Sequence, residues 1–214
     1  MRKIDKDYNS ILSTKYRAWV DNLIANNTIH PKSNSYYDDV VMDLYRVQKG
    51  ICAYTEMYIC VPELCLTENW IDGKYKIADD LVKRTDHFGE LEHFDPSLKK
   101  EQYWSWDNLF MIHSTINSRK SDRAIVPYLK PDLADYTPEK YFDYDDVTHR
   151  FIPNTDLDSI VVKEIQHMID NVLFLNHGVV INERKSYINN IKFRIDNNLP
   201  YSIDRFFTSV NWSI

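Results

Sequence analysis

Leu91-Glu92-His93-Phe94-Asp95-Pro96 sets a carboxylate and an imidazole next to each other. Downstream come Trp106-Asp107-Asn108-Leu109-Phe110 and His113-Ser114-Thr115-Ile116-Asn117-Ser118-Arg119-Lys120. Together these residue types suit hydrolysis of a phosphodiester. A divalent metal needs an oxygen ligand, and Glu92 supplies one. Water attacking phosphorus must lose a proton, and neutral His93 can take it near pH 7. Asn108 is the neighbour that can fix the ring and its loop. Asn117 offers a second, neutral ligand oxygen. Lys120, three residues on, lies on nearly the same helical face and can meet a phosphate. His93, Asn117 and Lys120 are expected to face an open cleft. His113 and Arg119 are accessory candidates. His113 is either a metal or phosphate contact or a structural residue, and Glu92 is either a ligand or a carboxylate that orients His93.

Elements must hold these groups in place. Gly89 permits a turn into a strand over Leu91 to Phe94, and Pro96 ends it. Ser97 to Trp106 reads as a loop, and Asp107 as the cap of a helix starting near Asn108. Ahead of this, residues 8 to 26 and Tyr36 to Lys49 carry apolar residues at helical spacing, with Gly50 as a stop. Ile51 to Ile59 reads as a strand, Val61 to Gly73 as a loop and Ile77 to Arg84 as a short helix. Behind it, Tyr141 to Tyr144 and Thr148 to Ile152 form a hairpin. Asp158 to Asn176 and Val179 to Asn197 read as helices. Asp143, Asp145 and Asp146 read as a solvated acidic turn in preference to a metal cluster. The histidines at 30, 87, 149, 167 and 177 fit no catalytic spacing and read as structural or surface residues.

The ordered set Glu92-His93-x-x-Pro96, Asn108, Asn117-x-x-Lys120 resembles the HNH, or His-Me finger, endonucleases. Gln48-Lys49-Gly50-Ile51-Cys52-Ala53-Tyr54, Tyr141-Phe142-Asp143-Tyr144 and Leu173-Phe174-Leu175-Asn176 are similar to the HNH nucleases of bacterial anti-phage systems, notably the Septu-type and retron-associated proteins. The resemblance implies an α+β fold with a ββα-metal core embedded in a mostly helical domain. It divides the chain into an N-terminal helical segment (1–49), the nuclease core (50–122) and a mostly helical extension (123–214). It implies one divalent metal on Glu92 and Asn117, Mg²⁺ before Mn²⁺, with His93 as base. It also implies a companion ATPase.

Many such nucleases carry a zinc knuckle of two cysteine pairs. Here the four positions hold Cys52, Thr55, His113 and Ile116. A structural zinc wants four ligands, so none is expected, and apolar packing through Ile116 takes its place.

Composition bounds the rest. At 43% apolar and 14% aromatic residues the chain can bury a core. Cys52, Cys60 and Cys65 form no Cys-x-x-Cys pair and no signal peptide is evident, which points to a reducing cytoplasm. No apolar run approaches the roughly 20 residues of a membrane span. The net charge of −6 is unusual for a nucleic-acid enzyme. Lys99, Lys100, Arg119, Lys120, Arg123 and Lys130 make a local basic site on an acidic body. The chain alone should bind DNA weakly, with a partner supplying grip through the outer helices. The alternative is a catalytically weak or inactive HNH-like adaptor that binds nucleic acid or a partner ATPase.

Overall fold

A computed structural model describes residues 1–76 and 87–214. The helix expected over Ile77 to Arg84 lies outside them. The fold is mixed α and β, with small antiparallel hairpins. The chain forms two compact units, one of Ile4–Cys52 and Ile59–Asn117, the other of Met1–Lys3, Ala53–Tyr58 and Ser118–Ile214.

The first unit carries the Glu92-His93 motif. Helix α1 (Thr14–Ala25) buries Tyr16, Val20 and Leu23, one stripe at helical spacing. It starts later than residue 8, because the Asp43 carboxylate takes the N–H groups of Leu12 and Ser13, each at 3.0 Å, and holds that stretch extended. Ser13 then caps the helix by accepting from the Tyr16 N–H. Helix α2 (Tyr37–Gln48) ends with Lys49 and Gly50 both at positive φ. A Cβ on Gly50 would lie 2.4 Å from the Cys60 carbonyl oxygen, so only glycine fits.

Ile51 to Ile59 is not a strand. Ala53–Thr55 turn and Glu56 sits at φ 60°. The Gly50 carbonyl accepts from both Ile59 and Cys60, which folds the segment back on its own start. Two-residue strands β1 (Trp70–Ile71) and β2 (Lys74–Tyr75) pair around Asp72-Gly73; β1 lies inside the stretch read as a loop and β2 just past it.

Strand β3 (Gly89–His93) pairs antiparallel with β4 (Leu109–His113), in a register running from Gly89↔His113 to His93↔Leu109. Helix α3 (Ser114–Lys120) follows at once. The helix therefore begins at Ser114, not near Asn108, and Asp107 is no cap. Leu109-Phe110-Met111-Ile112 is a fully buried apolar run, and pairing with β3 decides its conformation. A backbone this buried needs hydrogen-bond partners on its far edge as well. Side chains supply them. The Leu109 carbonyl accepts from the Lys6 ammonium (2.8 Å), which also lies 3.9 Å above the Phe110 ring. Met111 gives its N–H and takes a donor at its carbonyl, both through the buried Gln48 amide (2.8 Å each). His113 donates to the Cys52 thiol at 3.4 Å.

The second unit contains hairpin β5 (Phe142–Asp145) and β6 (Arg150–Pro153). Helix α4 (Ser159–His167), capped by Asp158, continues as a π-turn over Met168–Val172. Helices α5 (Gly178–Asp196) and α6 (Phe207–Ser213) follow, the last unexpected from sequence. Arg184 is wholly buried. It donates to the carbonyls of His149 and Leu175 (2.7 Å each) and stacks on Phe151. Asp145 accepts from Val147 and Thr148, the turn expected of that acidic stretch.

Candidate active site

Strand β3 delivers the first two groups. Successive residues of a strand leave by opposite faces, so Glu92 shares a face with Glu90, and His93 takes the other. The His93 ring is fixed by Tyr103. Its Nε2 donates to the Tyr103 carbonyl at 2.8 Å, and the two rings meet edge to face, 4.5 Å between centroids. A carbonyl can only accept, so Nε2 carries the proton of the neutral ring and Nδ1 is the basic nitrogen. That is the form a general base requires. Tyr103 is itself held from behind. The next residue, Trp104, donates its N–H to His30 Nδ1 at 3.0 Å, and its carbonyl accepts from the Tyr16 hydroxyl at 2.6 Å. Burial lowers the His30 pKa, which keeps that nitrogen an acceptor.

Asn108 closes the other side of the loop. Its Oδ1 accepts from the Asp95 N–H (2.8 Å), its Nδ2 donates to the Asp95 carbonyl (3.0 Å), and its own carbonyl accepts from Phe94 (2.8 Å). The two residues after His93 are thus pinned to the residue before β4. Helix α3 brings Asn117 over the acidic face of β3, where its amide donates to Glu90 Oε2 at 2.7 Å. That bond uses the amide nitrogen and leaves Oδ1 as an acceptor.

The expected open cleft is not what the structure has. Glu92 and His93 are each 3% exposed and Asn108 4%; only Asn117 and His113 are half-exposed. Lys120 is 0% exposed; it falls four residues after buried Ile116, on the same side of α3. Arg119 and Lys100 are exposed, and Lys99 is half-buried. His113 ends β4 and does not share a helical face with Asn117. Its Nδ1 accepts from the Thr115 N–H. Of the knuckle positions, Cys52 and His113 adjoin through the N–H···S bond, and Ile116 is buried.

Glu90, Glu92 and Asn117 bring two carboxylates and an amide to one face of the hairpin. These are hard oxygen donors, of the kind Mg²⁺ or Mn²⁺ takes while keeping most of its shell as water. Among the described residues no group of three or more His, Cys, Asp or Glu is placed to hold a metal. Any cation here would rely on the amide and on water.

Sequence reasoning missed Tyr103 and Glu90. Strand alternation could have found Glu90, two residues before Glu92. Nothing could have flagged Tyr103, whose part is played by a backbone carbonyl. Among the described residues no helix is long and apolar enough to cross a membrane. No family model matches the chain, and no curated protein matches it.

Proposed function

We propose that the chain is a metal-dependent endonuclease of the HNH type, with DNA favoured over RNA as substrate. The observation that carries this is the His93 ring, held by the Tyr103 carbonyl with Nδ1 as its basic nitrogen, at the end of a hairpin whose next element is the Asn117 helix. In this reading the attacking water sits beyond His93, the last residue of β3, where groups from both faces of the strand can meet it, and His93 takes its proton. Asn108 keeps the loop after His93 in register, and Glu92 and Asn117, steadied by Glu90, provide the oxygen donors for one divalent cation. When bound, that cation supplies charge stabilisation at the phosphate and the leaving oxygen. Arg119 is the exposed cation of α3 and takes the phosphate contact first expected of Lys120. The resemblance to anti-phage nucleases adds a defence role and a companion ATPase to the proposal.

Burial of Glu92, His93 and Asn108 favours the second reading, an adaptor that binds without cutting. A cleavage assay separates the two. The full chain is incubated with plasmid, single-stranded DNA and RNA in Mg²⁺ or Mn²⁺, with and without the ATPase. Cleavage that needs the cation and is lost in His93→Ala supports the nuclease. Binding without cleavage under every condition supports the adaptor.

A further inference from the structure

Cys60 and Cys65 have no part in the proposed nuclease. Cys60 leaves the Gly50 loop with its N–H on the Gly50 carbonyl (3.0 Å) and pairs with His87 as an antiparallel bridge. The chain then turns through Pro62–Cys65, a short 3-10 turn. That turn returns the Cys65 sulfur to 3.8 Å from the Cys60 sulfur. Both thiols also lie near the Val61 carbonyl. Their exposure differs: Cys60 is buried and Cys65 is half-exposed. Cys52, in contrast, is buried against the His113 N–H.

We propose that Cys60 and Cys65 are a redox-active dithiol that a hydroperoxide converts to a disulfide. This does not depend on the nuclease reading. Cys65, the thiol that solvent reaches, loses its proton and attacks the peroxide oxygen. An S–O bond forms and the O–O bond breaks. The leaving oxygen takes a proton and departs as an alcohol, or as water from hydrogen peroxide. Cys60 then attacks the Cys65 sulfenic acid. An S–S bond forms, the S–O bond breaks, and the hydroxide leaves as water with the Cys60 proton. Two electrons pass from the thiol pair to one peroxide.

The pair is asymmetric in the way this sequence needs. The Cys60 thiol is pushed up by its hydrogen bond to Cys65 and by burial, so Cys60 keeps its proton until the second step. Closure asks the sulfurs to approach by about 1.8 Å, from 3.8 Å to bonding distance. Cys65 ends a short surface turn, where a side-chain rotation supplies much of that. The bland alternative is a pair of inert thiols sharing a weak S–H···S contact.

The experiment uses the folded full chain and hydrogen peroxide at low molar excess, quenched with N-ethylmaleimide. A protease cutting after glutamate separates the cysteines, because Glu56 and Glu63 lie between them and Glu68 follows. The expected product is a 57–63 peptide joined to a 64–68 peptide, lighter by two hydrogens than the pair of thiols and reversed by dithiothreitol. Cys52 stays reduced. In Cys60→Ser, Cys65 should stop at the sulfenic acid and be trapped by dimedone. Should that variant not fold, the wild-type crosslink still decides. Recovery of both peptides as maleimide adducts, at peroxide levels that oxidise free cysteine, overturns the proposal. So does Cys65 passing to sulfinic acid without a crosslink, or pairing only between chains.

Discussion

Replacing His93 separates its structural part from its chemical one. His93→Ala removes the Nε2–H bond to the Tyr103 carbonyl and the edge-to-face ring contact at 4.5 Å. A net hydrogen bond contributes about 1 kcal/mol and an aromatic pair about 0.5–1.5 kcal/mol. The void left by a buried ring costs roughly 1–2 kcal/mol more. The expected loss is about 2.5–4.5 kcal/mol. His93→Gln keeps an amide N–H that can reach Tyr103, so it should recover about 1 kcal/mol of this while offering no base. Both variants should lose cleavage by about 10²- to 10⁴-fold. Only the alanine variant, with a cavity where the ring was, should be partly rescued by imidazole. The assays are urea unfolding followed by tryptophan fluorescence, and cleavage rate at saturating Mg²⁺. An alanine variant as stable as wild type would refute the anchored ring. A folded glutamine variant cutting at the wild-type rate would end the mechanism.

Gln48→Leu should cost about 2–4 kcal/mol in urea unfolding, since it strips the buried Met111 N–H and carbonyl of their partner. In Gly89→Ala the new Cβ would lie 2.1 Å from the Tyr45 hydroxyl, which bonds His87 at 2.8 Å. A loss of about 1–3 kcal/mol is expected, with a changed near-ultraviolet circular dichroism signal. Glu90→Gln should raise the Mg²⁺ needed for half-maximal cleavage by about tenfold, since Glu90 accepts from Asn117, the proposed ligand; an unchanged metal titration would remove Glu90 from the site. Burial holds both His30 and His149 below their ordinary pKa of 6.5, and Lys185, Lys192 and Arg184 add to it at His149. Below 6.5 the unfolded chain takes up protons that the fold refuses. The stability they contribute is therefore complete above pH 6.5 and is lost as pH falls from there through the folded values. Unfolding measured from pH 7.5 to 5 should show this slope, and His30→Gln should flatten part of it.

Local pattern carried much of this fold. Helices α1, α2, α4 and α5 show their spacing, and Gly50, Gly89 and Asp158 mark real boundaries. The 142–153 hairpin reads from its alternation. Strand β4 did not read correctly, because Leu-Phe-Met-Ile has no period that separates a buried strand from a helix, and Asp107-Asn108 imitates a cap. Its partner β3 lies well upstream, and only pairing resolves the ambiguity. Ile51 to Ile59 failed in the opposite sense, for an apolar, β-prone stretch is turned by two bonds to one carbonyl. In the candidate site, Glu92, His93, Asn108 and Asn117 were legible as residue types. The burial of Glu92, His93, Asn108 and Lys120 was not. At His93 it comes with Tyr103, a residue ten positions away in sequence, whose neighbour Trp104 is braced by Tyr16 and His30.

The outer rim of β4 has a consequence for motion. At Leu109, Met111 and His113 the outward backbone positions are met by Lys6, Gln48 and Cys52. No incoming strand can add there without evicting a side chain. A third strand is therefore shut out on the β4 side, and two strands alone are barely stable in water. Sideways slippage of β4 is blocked as well, since Gln48 recognises both polar groups of one residue and would lose them after a single step. Opening should start at the Gly89–His113 end, where the rim partner is only a weak sulfur acceptor. The Met111 amide should be among the last of this strand to trade its hydrogen for deuterium. The end bearing His93 and Asn108 would then stay closed while the far end frays.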